Sequence, residues 1–329
     1  MLGKDGDLIE AIRFYLHSRT DTLTPITIKE AFEDFLCDKQ AANLRPLTLQ
    51  NLRSRVGALV KRMPDRHLST ISAQDITRIL FKPGLKPTSI DNQRRALSSF
   101  FSWAEKRGYC KVSPMRAVEK IRTEREEPAI LIAAQITQFL QAAQSLKAGL
   151  LLPYVTLSLF AGIRPSEMKG LSWDAINLNE SLITISSKTA KMRQRRLIQI
   201  SDNLVEWLRP YARIHAPIVP RNFRRDFDTL KAMAGFAYTE SRVNMSEADS
   251  FLKTATRNAN REAPDWIPDI IRHTAISYHL ATHEHEGQTA SWAGNSPDIV
   301  QRHYKGLVSQ KQVKWYWGLR PSALSAAVA

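Results

Sequence analysis

PDIIRHTAISYHL, residues 268–280, and GNSPDIVQRHY, residues 294–304, read as two helix starts that bring an arginine and a tyrosine toward one place. The first opens on a proline and an aspartate and repeats apolar groups at Ile271, Ala275 and Tyr278, the spacing of a helix with Arg272 in its first turn. In the second, Gly294 and Asn295 break one run, and Ser296, Pro297 and Asp298 begin another that carries Tyr304 about two turns from its start. A phenol with a pKa of about 10 is a poor nucleophile unless cations stabilise its phenolate, so arginine beside tyrosine points to phosphoryl chemistry. Taken alone, each residue also has a plain surface reading.

The chain has 329 residues, 43% of them hydrophobic, enough for two globular domains with their own cores. No signal peptide and no run of roughly 20 apolar residues is present, so no membrane partner is expected and the expected location is cytoplasmic. Cys37 and Cys110 lie far apart and outside any metal-ligand spacing, which implies reduced thiols. The 47 Lys and Arg against 32 Asp and Glu give a formal charge of +15, the balance of a protein with a polyanionic partner, nucleic acid by default. Residues 1–125 hold 23 of the basic and 14 of the acidic residues, so both halves share the excess.

Residues 1–26 form an N-terminal extension with a helical candidate at 8–17. Thr27 and Glu30 have capping-box spacing, and Ile28, Ala31, Phe35 and Leu36 follow at helical period. A second helix, marked by Leu49 to Val60, carries Arg53 and Arg55, and Ala73 to Leu80 is a third. A fourth, capped by Thr88, presents Arg94 and Arg95 and stops at Gly108. These four helices make a domain over 27–118 whose basic residues face a polyanion or, more plainly, water. The charged, aperiodic run EKIRTEREEP marks a linker over 119–130.

In a second domain, 131–310, apolar helices over 132–143 and 150–160 lead into AGIRPSEMKGLSW, 161–173. There Arg164 precedes Pro165, with Glu167 in the first turn of a new helix. Backbone amides at a helix N-terminus beside an arginine fork suit a phosphate, while an Arg164–Glu167 ion pair is the simpler reading. Ile183 and Ile185, then Ile198 and Ile200, alternate with polar residues and mark a β-hairpin. Its tip and return bear Lys188, Lys191, Arg193, Arg195 and Arg196, a basic finger suited to a nucleic-acid groove, where a lysine can protonate a leaving alkoxide. Further helices are expected at 204–211 and at 223–236, the latter ended by Gly235, while the polar stretch 237–265 has no assigned role. His279, His283 and His285 have helical ligand spacing, but no fourth ligand follows, and a polar helix end accounts for them.

The order Arg164, Lys188, Arg272, Tyr304 closely resembles the tyrosine recombinase (phage integrase) family, from about Thr27 to the C-terminus. The resemblance is carried by AGIRPSEMKGLSW, ISSKT, IIRHT and WAGNSPDIVQRHY, with Tyr304 nine residues after Asn295. It implies a mainly α two-domain DNA clamp, in which a helical core-binding domain is joined to an α+β catalytic domain with a small β-sheet. It also implies that Tyr304 attacks a scissile DNA phosphate to give a 3′-phosphotyrosyl link. Arg164 and Arg272 would hold the non-bridging oxygens, Lys188 would protonate the 5′ oxygen, and Glu167 would orient the site. Because the phosphotyrosine conserves bond energy, no nucleotide cofactor or metal is expected. The implied partners are double-stranded DNA with inverted-repeat core sites, further copies in a homo-tetramer assembled on DNA from free monomers, and an accessory directionality factor. The tail, 311–329, would dock on a neighbouring subunit through Trp315, Tyr316, Trp317 and Leu319.

Two positions depart from the family pattern. Asp269 stands where the HxxR motif has histidine, and Asn295 where histidine or tryptophan is usual. An aspartate repels a phosphate unless it is paired, or it caps its helix. Asn295 keeps a hydrogen-bond donor but cannot titrate. His273 lies one step, about 100°, beyond Arg272 and is read as structural. A second functional reading follows, in which a catalytically weak or inactive relative binds DNA through the same clamp.

Overall fold

The first helix start is closed by two reciprocal bonds. The Glu30 amide donates to Thr27 Oγ1 (3.2 Å), and the Thr27 amide donates to the Glu30 carboxylate (3.0 Å). The computed structural model describes residues 23–121, 128–186, 195–246, 248 and 263–321. The helical candidate at 8–17 and the centre of the charged run at 122–127 lie outside them. The chain divides between Arg125 and Glu126 into two compact units.

In the first unit, α1 (Ile28–Ala41), α2 (Pro46–Val60), α3 (Ala73–Leu80) and α4 (Pro87–Lys106) surround one core. Their apolar residues recur at three and four positions, so Phe35, Val56, Leu59, Leu97 and Phe100 fall on inner faces and are fully buried. Phe35 meets the rings of Phe100 and Trp103 edge-on, both at 5.3 Å between centroids. The expected Thr88 cap is corrected: α4 starts one residue earlier, at Pro87, whose fixed φ suits a first helical position, and its N-cap Lys86 makes no side-chain bond. Of the expected DNA-facing residues, Arg53 and Arg95 are exposed and Arg55 and Arg94 half-buried. Arg94 and Arg95 share the buried Asp91 at 3.1 and 2.7 Å, which neutralises part of that face.

The second unit holds α5 (Ala133–Ser145), α6 (Leu152–Phe160), the short α7 (Pro165–Met168), a three-stranded sheet, α8 (Asp202–Arg213) and α9 (Phe223–Met233). After these come α10 (Ile270–His283), α11 (Glu286–Ala293), α12 (Pro297–Tyr304) and α13 (Gln310–Trp317). Every residue of α6 is buried, as an unbroken apolar run requires, and α6 lies against α8 and α10. In the sheet, β2 (Leu182–Ile185) pairs antiparallel with β3 (Arg196–Gln199), Ile183 opposite Ile198. A third strand, β1 (Ile176–Asn177), adds to β2 and was not expected, since two residues carry no period. Lys188, Lys191 and Arg193 of the basic finger lie outside the described residues, whereas Arg195 is exposed. No helix among the described residues is long and apolar enough to cross a membrane.

The tail requires a correction. Tyr316, expected to face a neighbouring subunit, is fully buried in its own unit, stacked on Tyr278 at 3.8 Å, with its hydroxyl donating to the Leu159 carbonyl. Leu319 is buried as well, and its carbonyl accepts from Trp207 Nε1 at 3.1 Å. Aromatic area of this size stabilises whichever surface it covers, and here it covers its own core. Truncation after Lys314 is therefore expected to destabilise the second unit by about 3–5 kcal/mol, as deletion of a buried aromatic does. Denaturant unfolding of the full and truncated chains measures it.

Candidate active site

Four segments meet around Glu167. The turn before α7 brings Arg164, β3 brings Arg196, α10 brings Arg272, and the turn after α11 brings Gly294 and Asn295. Glu167 is fully buried, and its carboxylate accepts from Arg164 Nη1 (3.0 Å), Arg196 Nη1 (3.0 Å) and Arg196 Nη2 (2.7 Å). Burial by itself would push this carboxyl up, but the Arg196 bond and the charges of Arg196 and Arg164 outweigh it and hold the pKa at about 2. The expected anion site at the helix start is corrected: α7 is a single turn, and the Arg164 amide there donates to Glu167 itself. The cationic groups of the site are the side chains of Arg164 and Arg196, half-buried, and of Arg272, buried.

Arg164 Nη2 donates to the Gly294 carbonyl and to Asn295 Oδ1. The buried Arg272 donates through Nη1 to the Gly162 carbonyl, and through Nη2 to the Ala293 carbonyl (2.6 Å) and Asn295 Oδ1 (3.2 Å). Asn295 thus bridges both guanidiniums with one oxygen, so its acceptor is the group turned toward them. A guanidinium has five N–H groups, so among the described residues an Nε–H and one Nη1–H on each arginine stay open to an incoming anion. Burial, with Arg164 and Arg196 nearby, lowers the Arg272 pKa to about 9 despite Glu167, which marks it as a cation in want of an anion. Glycine is required at 294, where φ is +65° and a Cβ would stand 3.1 Å from Nη1 of both Arg164 and Arg196.

Tyr304 ends α12, is 5% exposed, and has its hydroxyl 2.8 Å from His273 Nδ1. Burial raises its pKa, Arg272 and Arg164 pull it down, and Asp269 adds to the rise, so the phenol is neutral but lies within the field of both arginines. Asp269 sits at the N-cap of α10 with φ +61° and its side chain makes no cap bond, which removes the capping reading. His273, read from the sequence as structural, stands beside the tyrosine: the 100° step turns it from Arg272 to Tyr304. Arg196 was assigned to the basic finger and instead lies beneath the site, its Nε donating to the Trp292 carbonyl at 3.2 Å. Of the three helix-end histidines, His279 bonds Thr289 Oγ1 through Nδ1 at 2.9 Å and stacks on Trp292 at 4.1 Å, a packing role. Lys188 lies outside the described residues.

Glu167→Gln is expected to lower stability at neutral pH by about 3–5 kcal/mol, because the buried arginines lose their counter-charge. The native carboxylate's contribution is present above its ordinary pKa of 4.5 and is lost as pH falls toward 2. It amounts to about 3 kcal/mol, at about 1.4 per unit. Unfolding followed from pH 6 to pH 2, read as roughly four units, checks that the variant lacks this slope.

The phage integrase family matches residues 130–291, and the phage integrase N-terminal SAM-like domain matches residues 30–108. Both matches end before Asn295 and Tyr304. Tyrosine recombinase XerC of Xylella fastidiosa (strain M23) is 28% identical over 154 residues, 44% of this chain and 52% of the relative, so the chain spans about half the length of that curated relative. A lambda integrase tetramer bound to a Holliday junction has TM-score 0.62 at 16% identity over 94% of this chain and 91% of that one. The Tn1549 transposon integrase in complex with a circular intermediate DNA has TM-score 0.65 at 14% identity over 88% of this chain and 98% of that one. With both family domains matched in order and the fold shared along most of its length, the chain belongs to the tyrosine recombinase (phage integrase) family.

Proposed function

We propose that this chain is a site-specific DNA recombinase that cleaves and rejoins strands through a 3′-phosphotyrosyl link on Tyr304. The observation that carries it is the pair of guanidiniums turned to one Asn295 oxygen, each with open N–H groups, within electrostatic reach of a tyrosine hydroxyl. A phosphodiester bound there meets Arg164 and Arg272 through its non-bridging oxygens, where two cations offset the charge that builds as phosphorus becomes five-coordinate. Tyr304 attacks, O5′ leaves, and Lys188, by the family order, protonates it. Glu167 and Arg196 hold Arg164 in register without touching the substrate. The reverse attack by a 5′-hydroxyl reseals the strand, and the bond energy stored in the phosphotyrosine makes an external cofactor unnecessary.

The tyrosine recombinase name of the curated relative, and the DNA in the two integrase structures, support DNA as the substrate. The lambda tetramer on a Holliday junction supports four copies acting together on DNA; inverted-repeat core sites and an accessory protein that sets direction complete this reading without support of that kind. A second reading, DNA binding with little or no cleavage, is favoured by Asn295 and Asp269 in place of titratable histidines and by the burial of Tyr304.

A duplex nicked beside the cleavage point separates the two. Its short 5′ product diffuses away, so the recombinase is expected to become covalently attached while Tyr304→Phe does not; the binding module never attaches. Arg164→Ala or Arg272→Ala is expected to lower cleavage about 10²–10³-fold. DNA binding is expected to weaken steeply with salt, with log Kd rising by about 0.9 per phosphate contact for each decade of salt, as titrations at several salt concentrations would show.

A further inference from the structure

We propose that His273 is the base that takes the proton of Tyr304, a role that rests on the reading of function above. Consecutive residues on a helix diverge by about 100°, so α10 serves two sides of the site with neighbouring side chains. Arg272 enters the carbonyl cage of Gly162 and Ala293, and His273 faces α12. There Nδ1 stands 2.8 Å from the Tyr304 hydroxyl, with ring centroids 5.7 Å apart and planes tilted by 35°. With Nδ1 as acceptor, the imidazole carries its own proton on Nε2. Among the described residues, His273 is the one side chain at hydrogen-bonding distance from that hydroxyl.

The remaining candidates are unsuited to the task. Asn295 does not titrate, and its oxygen is held by two arginines. Asp269 makes no hydrogen bond to Tyr304 among the described residues, and its charge raises the phenol's pKa. His303 adjoins Tyr304 on α12 with rings 6.4 Å apart and no bond to the hydroxyl. The charges around His273 suit a base: burial, then Arg272 and His303, keep it neutral at pH 7 by lowering its pKa, while Asp269 opposes them and stabilises the imidazolium once formed. Around Tyr304, Arg272 and Arg164 favour the phenolate against burial and Asp269.

As Oη attacks phosphorus, its proton passes to Nδ1. The P–O5′ bond breaks with its electron pair on O5′, and O5′ takes a proton from Lys188. Religation reverses both transfers, the imidazolium returning its proton to the departing phenolate. Every proton and electron pair is accounted for within the chain and its DNA.

The test uses a nicked duplex built on the sequence that the Tyr304→Phe protein selects from random DNA. Single-turnover formation of the covalent complex is followed for the full chain and for His273→Gln, whose amide accepts a hydrogen bond but not a proton. His273→Gln is expected to bind the duplex as the parent does, to unfold at the same temperature, and to cleave about 10²–10³-fold more slowly. The parent's rate should fall on the acid side, below the ordinary histidine value of about 6.5, and the variant should lack that limb. A duplex with sulfur at the 5′ bridging position leaves without protonation, so it should not rescue His273→Gln. Cleavage by the variant within about threefold of the parent, or full rescue by the sulfur, overturns the proposal and leaves the recombinase reading intact. Absence of any covalent complex with the parent overturns both. If His273→Gln unfolds early, His273→Asn is measured in its place, and the same rates decide.

Discussion

Three guanidiniums gathered in one buried space repel each other, and a single carboxylate is what lets them coexist. Glu167 takes two bonds from Arg196 and one from Arg164, while Arg272 is close enough to feel its charge. Taking any one of these ions out of water alone costs several kcal/mol, so the cluster holds only because each charge has both a counter-charge and hydrogen bonds. The cluster also ties together parts distant in sequence. Residue 167 follows α6, residue 196 opens β3, and the carbonyls that anchor the arginines belong to 162, 293 and 294. With one negative charge set against three positive ones, the cluster keeps a net positive charge, which suits the phosphodiester of the proposed reaction.

Backbone geometry decides where that anion can sit. Carbonyls at the end of α11 and after α6 point at the guanidiniums and fix their planes, leaving the open N–H groups on the remaining edge. Gly162 and Gly294 allow this approach with positive φ, and a methyl at 162 would meet the Trp292 ring at 2.7 Å. Trp292 stacks in turn on His279, which explains why a histidine with helical ligand spacing is spent on packing. Burial pushes that imidazole down to about 3, so it stays neutral there.

Local signals were legible in the sequence and non-local ones were not. The Thr27–Glu30 box and the helical periods through Val56 and Leu97 are rules of neighbouring residues, and α1 to α4 follow them. Arg164, Arg272 and Tyr304 could be named from their motifs, and the structure brings them together. Arg196 was misplaced because it adjoins a run of cations, although its parity was informative. It shares a strand face with Ile198 and stands opposite the buried Ile185, so it points inward. For His273 the helical step told which way the side chain does not face, but not that Tyr304 would be there, since a contact across 31 positions has no local signature. Tyr316 was assigned outward from its aromatic neighbours, and only the packing of α13 on α6 and α10 shows that it serves its own core.

The two departures from the family pattern bear on opposite sides of the same reaction. On the phosphate side, Asn295 replaces a titratable ring with an amide oxygen that accepts from both arginines, and so trades proton transfer for rigidity. A second cation there would add to the repulsion that Glu167 already has to contain. On the nucleophile side, Asp269 places a negative charge near both Tyr304 and His273, raising the pKa of each. That charge resists a bare phenolate but favours an imidazolium, so the pair rests as phenol and imidazole, while Arg272 and Arg164 favour the phenolate. In the proposed reaction, the proton-transfer function absent from positions 269 and 295 would fall to His273, one helical step after Arg272 and 2.8 Å from the Tyr304 hydroxyl.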